Sequence, residues 1–470
     1  MATECTGKFL EFHPLPGRQI RGQFDGGTIT SDAGGLLLRE VEKRTGLLER
    51  FAGCFVDHRK GERIEHTVKE LVAQRVYGLA LGYEDLNDHD QLREDPLLAV
   101  LAEKPDPSGK SRVRERDQGK ALAGKSTLNR LELTKAVVEE KERYKKIVID
   151  QPAVDRMWVE VFIEAQPEAP SEIILDLDAT DDPLHGNQEG RFFHGYYGHY
   201  CYLPLYIFCG ESLLCARLRP SNIDAAAGSV EELERIVTQI RQAWPQVKIT
   251  IRGDSGFCRE ELMSWCEGRG VDYVLGLGKN ERLKAEITGE LEQAAEHYRR
   301  SGKSARIFKE FDYQTRKSWS RSRRVVAKAE HLEKGANPRF VVTSLSAAAW
   351  EARRLYEELY CARGEMENRI KEQLMLFADR TSTAFLRSNQ IRLNLSSVAY
   401  LLMEALRRLG LKETDLAQAQ CSRIRLKLLK IGALIRVTVR KVWVSMAEGY
   451  PDAELFARVY AQLQAIPLRY

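Results

Sequence analysis

The feature that most constrains this 470-residue chain is a switch of hydrophobic period at Pro170. Before it, apolar residues recur at helical spacing. After it come short, nearly continuous apolar runs of strand length. SEIILDLDA (171–179), HYCYLPLYIFCG, LLCARLRP, VKITIRGD (247–254) and VDYVLGLG (271–278) read as strands, with helices expected over about 227–243 and 258–269. Three strands, a helix, a strand, a helix and a strand predict an α/β sheet of mixed strand direction.

The flanking regions read differently. Residues 1–165 carry mostly helical patterns. TITSD (28–32) offers capping side chains ahead of LLLREVEKRTGLLERF, and a helical run is expected over about 126–165. Residues 280–346 add a helical segment and the β-like stretches ARIFKEFDY, RRVVAKAEH and PRFVVTSL; helical patterns resume over 347–378 and 390–409. The tail is basic and closes on the amphipathic AELFARVYAQLQAI. The expected organisation is a helical domain at 1–165, an α/β domain at 166–400 with a β-rich insertion at 280–346, and a basic region at 401–470.

Lys and Arg number 72 against 68 Asp and Glu, a net charge of +4, so polyanion binding would need local patches. Two exist. Arg299 to Lys328 holds eleven basic residues, Arg321, Arg323 and Arg324 among them, against Glu310 and Asp312, and Arg423 to Lys441 holds seven, including Arg436, Arg440 and Lys441, against no acid. In IRVTVRK a strand would place Arg436 and Arg440 on one face. Such one-signed patches suit phosphate-backbone contact. Nine cysteines without a CxxC pair fit reduced thiols. With no apolar run near ~18 residues and no charged-then-apolar leader, a cytoplasmic protein without a membrane span is expected.

Acidic residues stand at the edges of the expected elements: Asp176 and Asp178 in the first strand, Asp254 at the end of the fourth, and Glu367 in the late helix. Ligand sites of open α/β sheets form at strand ends, and carboxylates there are costly unless paired or bound to a cation. Carboxylate oxygens are the donors Mg²⁺ prefers, and two such ions can serve phosphodiester transfer. Tyr360 and Arg363 precede Glu367 by seven and four residues, which puts all three on one helix face, where a phenol and a guanidinium fork can hold phosphate oxygens.

DLDATDDPLHG, RGDSGF and Tyr360-x-x-Arg363-Gly-x-x-Glu367-Asn-x-Ile-Lys-Glu together resemble the three catalytic blocks of DDE-type bacterial insertion-sequence transposases. They are most similar to the insertion-sequence-1380 group, close to those with a Tyr-x2-Arg-x3-Glu-x6-Lys signature. The signature lysine position, 374, is leucine here; the nearest basic residue is Lys371. The resemblance implies an RNase H-like catalytic core in which Asp178, Asp254 and Glu367 hold two Mg²⁺ ions, with Mn²⁺ as a substitute. It further implies cleavage at transposon ends and strand transfer to target DNA, double-stranded DNA as partner (terminal inverted repeats and target), a homodimer on DNA, a nucleoid-associated location, and Tyr360, Arg363 and Lys371 as DNA contacts. The alternatives are a metal-dependent nuclease of the same fold without strand transfer, or an inactive DNA-binding derivative.

Two other motifs are set aside. Gly119-Lys-Ala-Leu-Ala-Gly124-Lys125-Ser126 matches the phosphate-binding GxxxxGK[ST] loop. What precedes it is polar and charged, without a strand pattern, so no nucleotide cofactor is expected. His185, His194, His199 and Cys201 fit no regular zinc spacing.

Overall fold

The computed structural model describes residues 9–138 and 142–469. The chain forms two compact units, one from residues up to Leu48, Arg59–Leu131 and Ala405 onward, the other from Glu49–His58 and Glu132–Glu404.

The second unit is built on a nine-stranded mixed sheet. Its first core strand, Glu172–Ala179, pairs in parallel with Lys248–Gly253, which pairs in parallel with Asp272–Leu277. On the other side Leu205–Cys209 and then Ser212–Arg217 run antiparallel. The switch from three antiparallel strands to two parallel ones follows from the connections: a tight turn joins Leu205–Cys209 to Ser212–Arg217, residues 180–204 with a small sheet of their own join Glu172–Ala179 to Leu205–Cys209, and the helices Ser229–Ala243 and Glu260–Arg269 lead into the two parallel strands.

Side-chain parity divides the sheet. Leu175, Leu177, Ile249, Ile251, Tyr273 and Leu275 point to a large core that also takes in Leu233, Ile236 and Met263 of the two helices. Strand residues alternate faces, so Asp176, Asp178, Arg252 and Gly276 belong to the opposite side. There Val274, Val326 and Val341 pack under Leu355, Tyr356 and Leu359 of the late helical segment. The site therefore forms on the face covered by that segment.

The β-like stretches expected within 280–346 form strands at Arg306–Tyr313, Arg323–Leu332 and Arg339–Thr343. They extend the core sheet, because Arg339–Thr343 pairs antiparallel with Asp272–Leu277. The helical run of 126–165 is interrupted: a helix covers Lys125–Glu132, a strand at Ile147–Ile149 pairs with Phe55–Asp57, and a second helix covers Gln151–Ala165. Its β-branched Ile147, Val148 and Ile149 favour the strand, and residues 139–141 lie outside the described residues. The late helix changes winding, from Ala352–Arg354 through a wide π-type turn at Leu355–Tyr360 and a tight turn at Cys361–Arg363 to a regular helix at Gly364–Met375.

The first unit mixes helices with small sheets. An exposed hairpin, Leu10–Leu15 with Arg18–Gly22, opens it, so the region is less helical than expected. TITSD is not a cap. Ile29–Thr30 is a strand that pairs with Ala433–Val437, and the helix Gly35–Thr45 begins without a side-chain cap. The acid of that segment serves a polar knot instead: Asp32 accepts hydrogen bonds from Lys430 Nζ (2.6 Å) and Tyr83 Oη (2.6 Å). Gly34 is required beside it, since a Cβ there would sit 1.8 Å from the Leu428 carbonyl oxygen. IRVTVRK is not one strand either. Ala433–Val437 turns back through Thr438–Lys441 into Val442–Met446, so Arg440 and Lys441 occupy a hairpin turn. Among the described residues no helix is long and apolar enough to cross a membrane.

Candidate active site

The ends of two adjacent parallel strands carry the first two acids. Arg252 lies opposite Asp176 and Gly253 opposite Leu177, so Asp254, one residue on, emerges beside Asp178. Asp254 leaves the sheet by capping a tight turn, accepting a hydrogen bond from the Gly256 amide at 2.8 Å. Asp178 accepts one from the Ala179 amide at 2.9 Å. Glu367, in the first turn of Gly364–Met375, faces the same space. All three line a cavity of about 600 Å³, with Thr180, His194, Tyr196, Ser255, Arg363 and Lys371 among its other walls.

The two candidate aspartates of the first strand are separated in role by their neighbours. Asp176 is buried in a bidentate pair with Arg252, at 2.5 and 2.8 Å, and Arg252 also donates to the Leu359 carbonyl at 2.6 Å. That arrangement ties two core strands to the late segment. Asp178 faces the cavity. Burial pushes its carboxyl up, to about 6; the Arg363 guanidinium pulls it down, and the carboxylates of Asp254 and Glu367 push it up again.

Arg363 bridges two of the acids, donating to Glu367 Oε1 at 3.2 Å and to Asp178 Oδ2 at 3.5 Å. The Arg–Glu spacing of four on one helix face thus holds. Tyr360 does not join that face. The wide turn aims its hydroxyl at Gly276, where a Cβ would meet it at 2.6 Å and the Ser255 amide at 2.9 Å. Burial raises the Tyr360 phenol, with Arg363 opposing and Asp254 adding to the rise. Glycine at 276 is what lets the tyrosine lie against the strand. Lys371 and Leu374 follow Glu367 by one and two turns, and both line the cavity, so a lysine is present one turn from the signature position.

Among the described residues, no three His, Cys, Asp or Glu side chains stand close enough to hold one ion as placed. The donor set nevertheless fits a hard divalent cation in its chemistry: three carboxylates face one cavity, and their mutual repulsion shows in Asp178.

The remaining sequence candidates are dispersed. Arg323 is buried between Glu260 and Glu267, at 2.7 Å from each, which removes it from the DNA-facing role expected of it. Arg324 is held by Glu310 and by the Leu345 and Trp350 carbonyls. Arg321 is exposed and paired with Glu267 at 2.7 Å. Arg436 and Lys441 lie over the exposed Trp443 ring, 5.8 and 5.4 Å from its centroid, and Arg440 is exposed beside them. Just before the GxxxxGKS stretch Glu115–Asp117 forms a short helical turn where the motif needs a strand, and Lys125 opens a helix, bonded to Asn87 at 2.9 Å. His199 pairs with Asp181 at 2.8 Å, while His194 lines the cavity. The wall formed by His194, Tyr196 and Tyr197 was not read as part of the site; the signal for it is the aromatic run RFFHGYYGHYCY between two acidic blocks.

The profile of transposase DDE domains, group 1, matches residues 12–468. The chain belongs to that family. A DDE transposase domain, an enzyme acting on DNA, thus occupies nearly the whole chain. No curated protein matches it. Among solved structures, a piggyBac transposase in a synaptic complex with hairpin DNA is similar at a TM-score of 0.36 and 10% identity, over 85% of this chain and 80% of that one. A score that low carries no argument about this transposase.

Proposed function

We propose that this transposase cuts the phosphodiester bonds at the ends of an insertion sequence and transfers the freed strands to target DNA, moving the element by cut and paste. The observation that carries the reading is the convergence of Asp178, Asp254 and Glu367, distant in sequence, on one cavity in a chain of this family. The core is read as RNase H-like, supported by three antiparallel strands followed by two parallel ones joined through helices. The spacing of Tyr360, Arg363 and Glu367 supports placement in the insertion-sequence-1380 group, with Lys371 in place of the signature lysine.

Asp178, Asp254 and Glu367 would hold Mg²⁺, or Mn²⁺ as a substitute. Such ions supply charge neutralisation and polarisation at phosphorus, where both cleavage and strand transfer are in-line displacements. Around them the chain's own groups bind and orient. Arg363 presents a planar fork to phosphate oxygens, Lys371 adds a flexible point charge, and the Tyr360 hydroxyl reaches the edge of the same site. Arg321, Arg436, Arg440 and Lys441 would follow the DNA backbone outside the cavity. Residues 1–165 are assigned DNA binding or dimerisation, 166–400 catalysis and 401–470 backbone contact, with a homodimer holding two ends at the nucleoid.

The test uses labelled duplexes of the inverted repeats flanking the gene, with target DNA and Mg²⁺. Asp178→Ala, Asp254→Ala and Glu367→Ala should each abolish cleavage and keep end binding. Asp176→Ala should instead cost ~3–5 kcal/mol of stability by stranding the buried Arg252, and its activity should follow the folded fraction. Cleavage without joining to target would select the nuclease reading, and full cleavage by any of the three alanine variants would remove that residue from the site.

A further inference from the structure

The strands Phe192–His194 and His199–Tyr202 form a hairpin at the cavity of the three carboxylates, and His194 is one of the lining residues. Its neighbours in the rejected zinc pattern are engaged elsewhere. His199 pairs with Asp181 at 2.8 Å, and Cys201 is fully buried. We propose that His194 donates a hydrogen bond from Nε2 to an oxygen of the phosphodiester being cut. The proposal names a further catalytic residue within the reading of the carboxylates as a phosphodiester-cutting site, and it rests on that reading.

Backbone and ring contacts fix where the imidazole stands. His194 closes its strand opposite His199, and its carbonyl accepts a hydrogen bond from the Gly198 amide at 2.8 Å. The His194 ring lies against the Tyr197 ring, with centroids 4.8 Å apart. Tyr197 in turn donates its hydroxyl to the carbonyl of Ala179, the residue after Asp178, at 3.3 Å. The imidazole is therefore held to the strand that carries the first acid. A donor set in place before the substrate arrives costs no reorganisation when charge develops at phosphorus.

The chemistry of the ring selects the atom and its partner. Nδ1 is buried without a partner, so exchange with a molecule in the cavity falls to Nε2. A phosphodiester oxygen accepts hydrogen bonds and has none to give, so the contact runs from Nε2–H to oxygen. Other donors at the cavity are partly committed. Arg363 already reaches Glu367 at 3.2 Å and Asp178 at 3.5 Å, and the Tyr197 hydroxyl serves Ala179. Arg363 and Lys371 also belong to the late helical segment, whereas His194 comes from the hairpin. A phosphodiester gripped from two elements is fixed in orientation as well as in place, which in-line displacement requires.

The experiment pairs the imidazole with single oxygens. Full-length wild type, His194→Ala, His194→Gln and His194→Asn are given end duplexes with Mn²⁺ throughout. The scissile phosphate is either intact or carries one sulfur, in place of either non-bridging oxygen or of the bridging 3′ oxygen. On intact ends His194→Ala should cut more slowly by about tenfold to a hundredfold, the loss of one hydrogen bond to a charged group. His194→Gln should recover most of that rate, because its amide nitrogen reaches the Nε2 position. His194→Asn, whose amide stops at the Nδ1 position, should not. At one sulfur position the gap between His194→Ala and wild type should close, because sulfur is a weak acceptor. Equal rates on intact ends, His194→Asn as fast as His194→Gln, or the same gap at every sulfur position would overturn the proposal while leaving the carboxylate reading standing. Wild type that cuts no intact end DNA would overturn both.

Discussion

Asp182 is an acidic residue whose surroundings strongly oppose its charge. It is buried, its Oδ2 accepts from the Thr381 hydroxyl at 3.0 Å, and its Oδ1 has no partner. Burial pushes its carboxyl up to about 8, Thr381 opposes this, and Asp379 and Asp181 add to the rise. The unfolded chain loses the same proton near ~3.9. Between these values the folded state binds the extra proton, so its contribution is fully present below the unfolded value and is lost as pH rises toward 8, by at most ~1.4 kcal/mol per pH unit. Asp182→Asn removes that titration. In chemical denaturation the variant should gain on wild type steadily from pH 5 to pH 8; parallel stability curves would mean Asp182 is ionised in the fold. Asp178 next to the Ala-Thr turn and Asp254 at its strand end are legible in the sequence as acids at element edges, and both line one cavity. The Asp176–Arg252 pair is not legible there, because it depends on a parallel register between residues 76 apart in the chain.

Among elements, the two basic runs show what a linear count of charges misses. Arg299 to Lys328 reads as one-signed because its acids lie elsewhere. Glu260 and Glu267, on the helix Glu260–Arg269, take up Arg321 and Arg323 once the strand Arg323–Leu332 packs there. Among the described residues no comparable neutralisation meets the hairpin of Ala433–Val437 and Val442–Met446, where Arg436, Arg440 and Lys441 are exposed around Trp443. Each lost phosphate contact flattens the log–log salt dependence of duplex binding by ~0.9. The triple change of Arg436, Arg440 and Lys441 to Ala should therefore flatten the slope by up to ~2.7, on end DNA and scrambled DNA alike. Arg323→Ala should leave the slope unchanged and lower stability instead, by leaving Glu260 and Glu267 partly unpaired. Titrations of both DNAs at several salt concentrations check this, and an unchanged slope in the triple variant would assign the hairpin to solvated surface.

At the scale of the whole chain, the feature hidden from a residue-by-residue reading is that the first unit needs both ends of the sequence. Ile29–Thr30 pairs with Ala433–Val437, and Ala33 and Leu97 share a core with Ile431, Ala433 and Ile435. Helical and strand periods report local partners only, so a pairing across some four hundred residues leaves no periodic trace. Ending the chain after Lys430 removes Ile431, Ala433 and Ile435 from that core and the partner strand from Ile29–Thr30. Losing Ile431 and Ile435, at ~2–5 kcal/mol each, together with Ala433 and the strand pairing, is comparable to the ~5–15 kcal/mol margin of a typical domain. The expected outcome is that residues 29–48 and 59–131 become protease-sensitive. The second unit has an independent reporter: Trp443 is the first unit's single tryptophan, so the other five, at 158, 244, 265, 319 and 350, belong to the second. Tryptophan fluorescence of the truncated chain should keep a cooperative thermal transition, since the sheet and its core lie wholly within Glu132–Glu404. Loss of that transition together with the proteolytic protection would show that the two units fold as one cooperative body; protection of residues 29–48 and 59–131 in the truncated chain would show that the C-terminal strands are dispensable to the first.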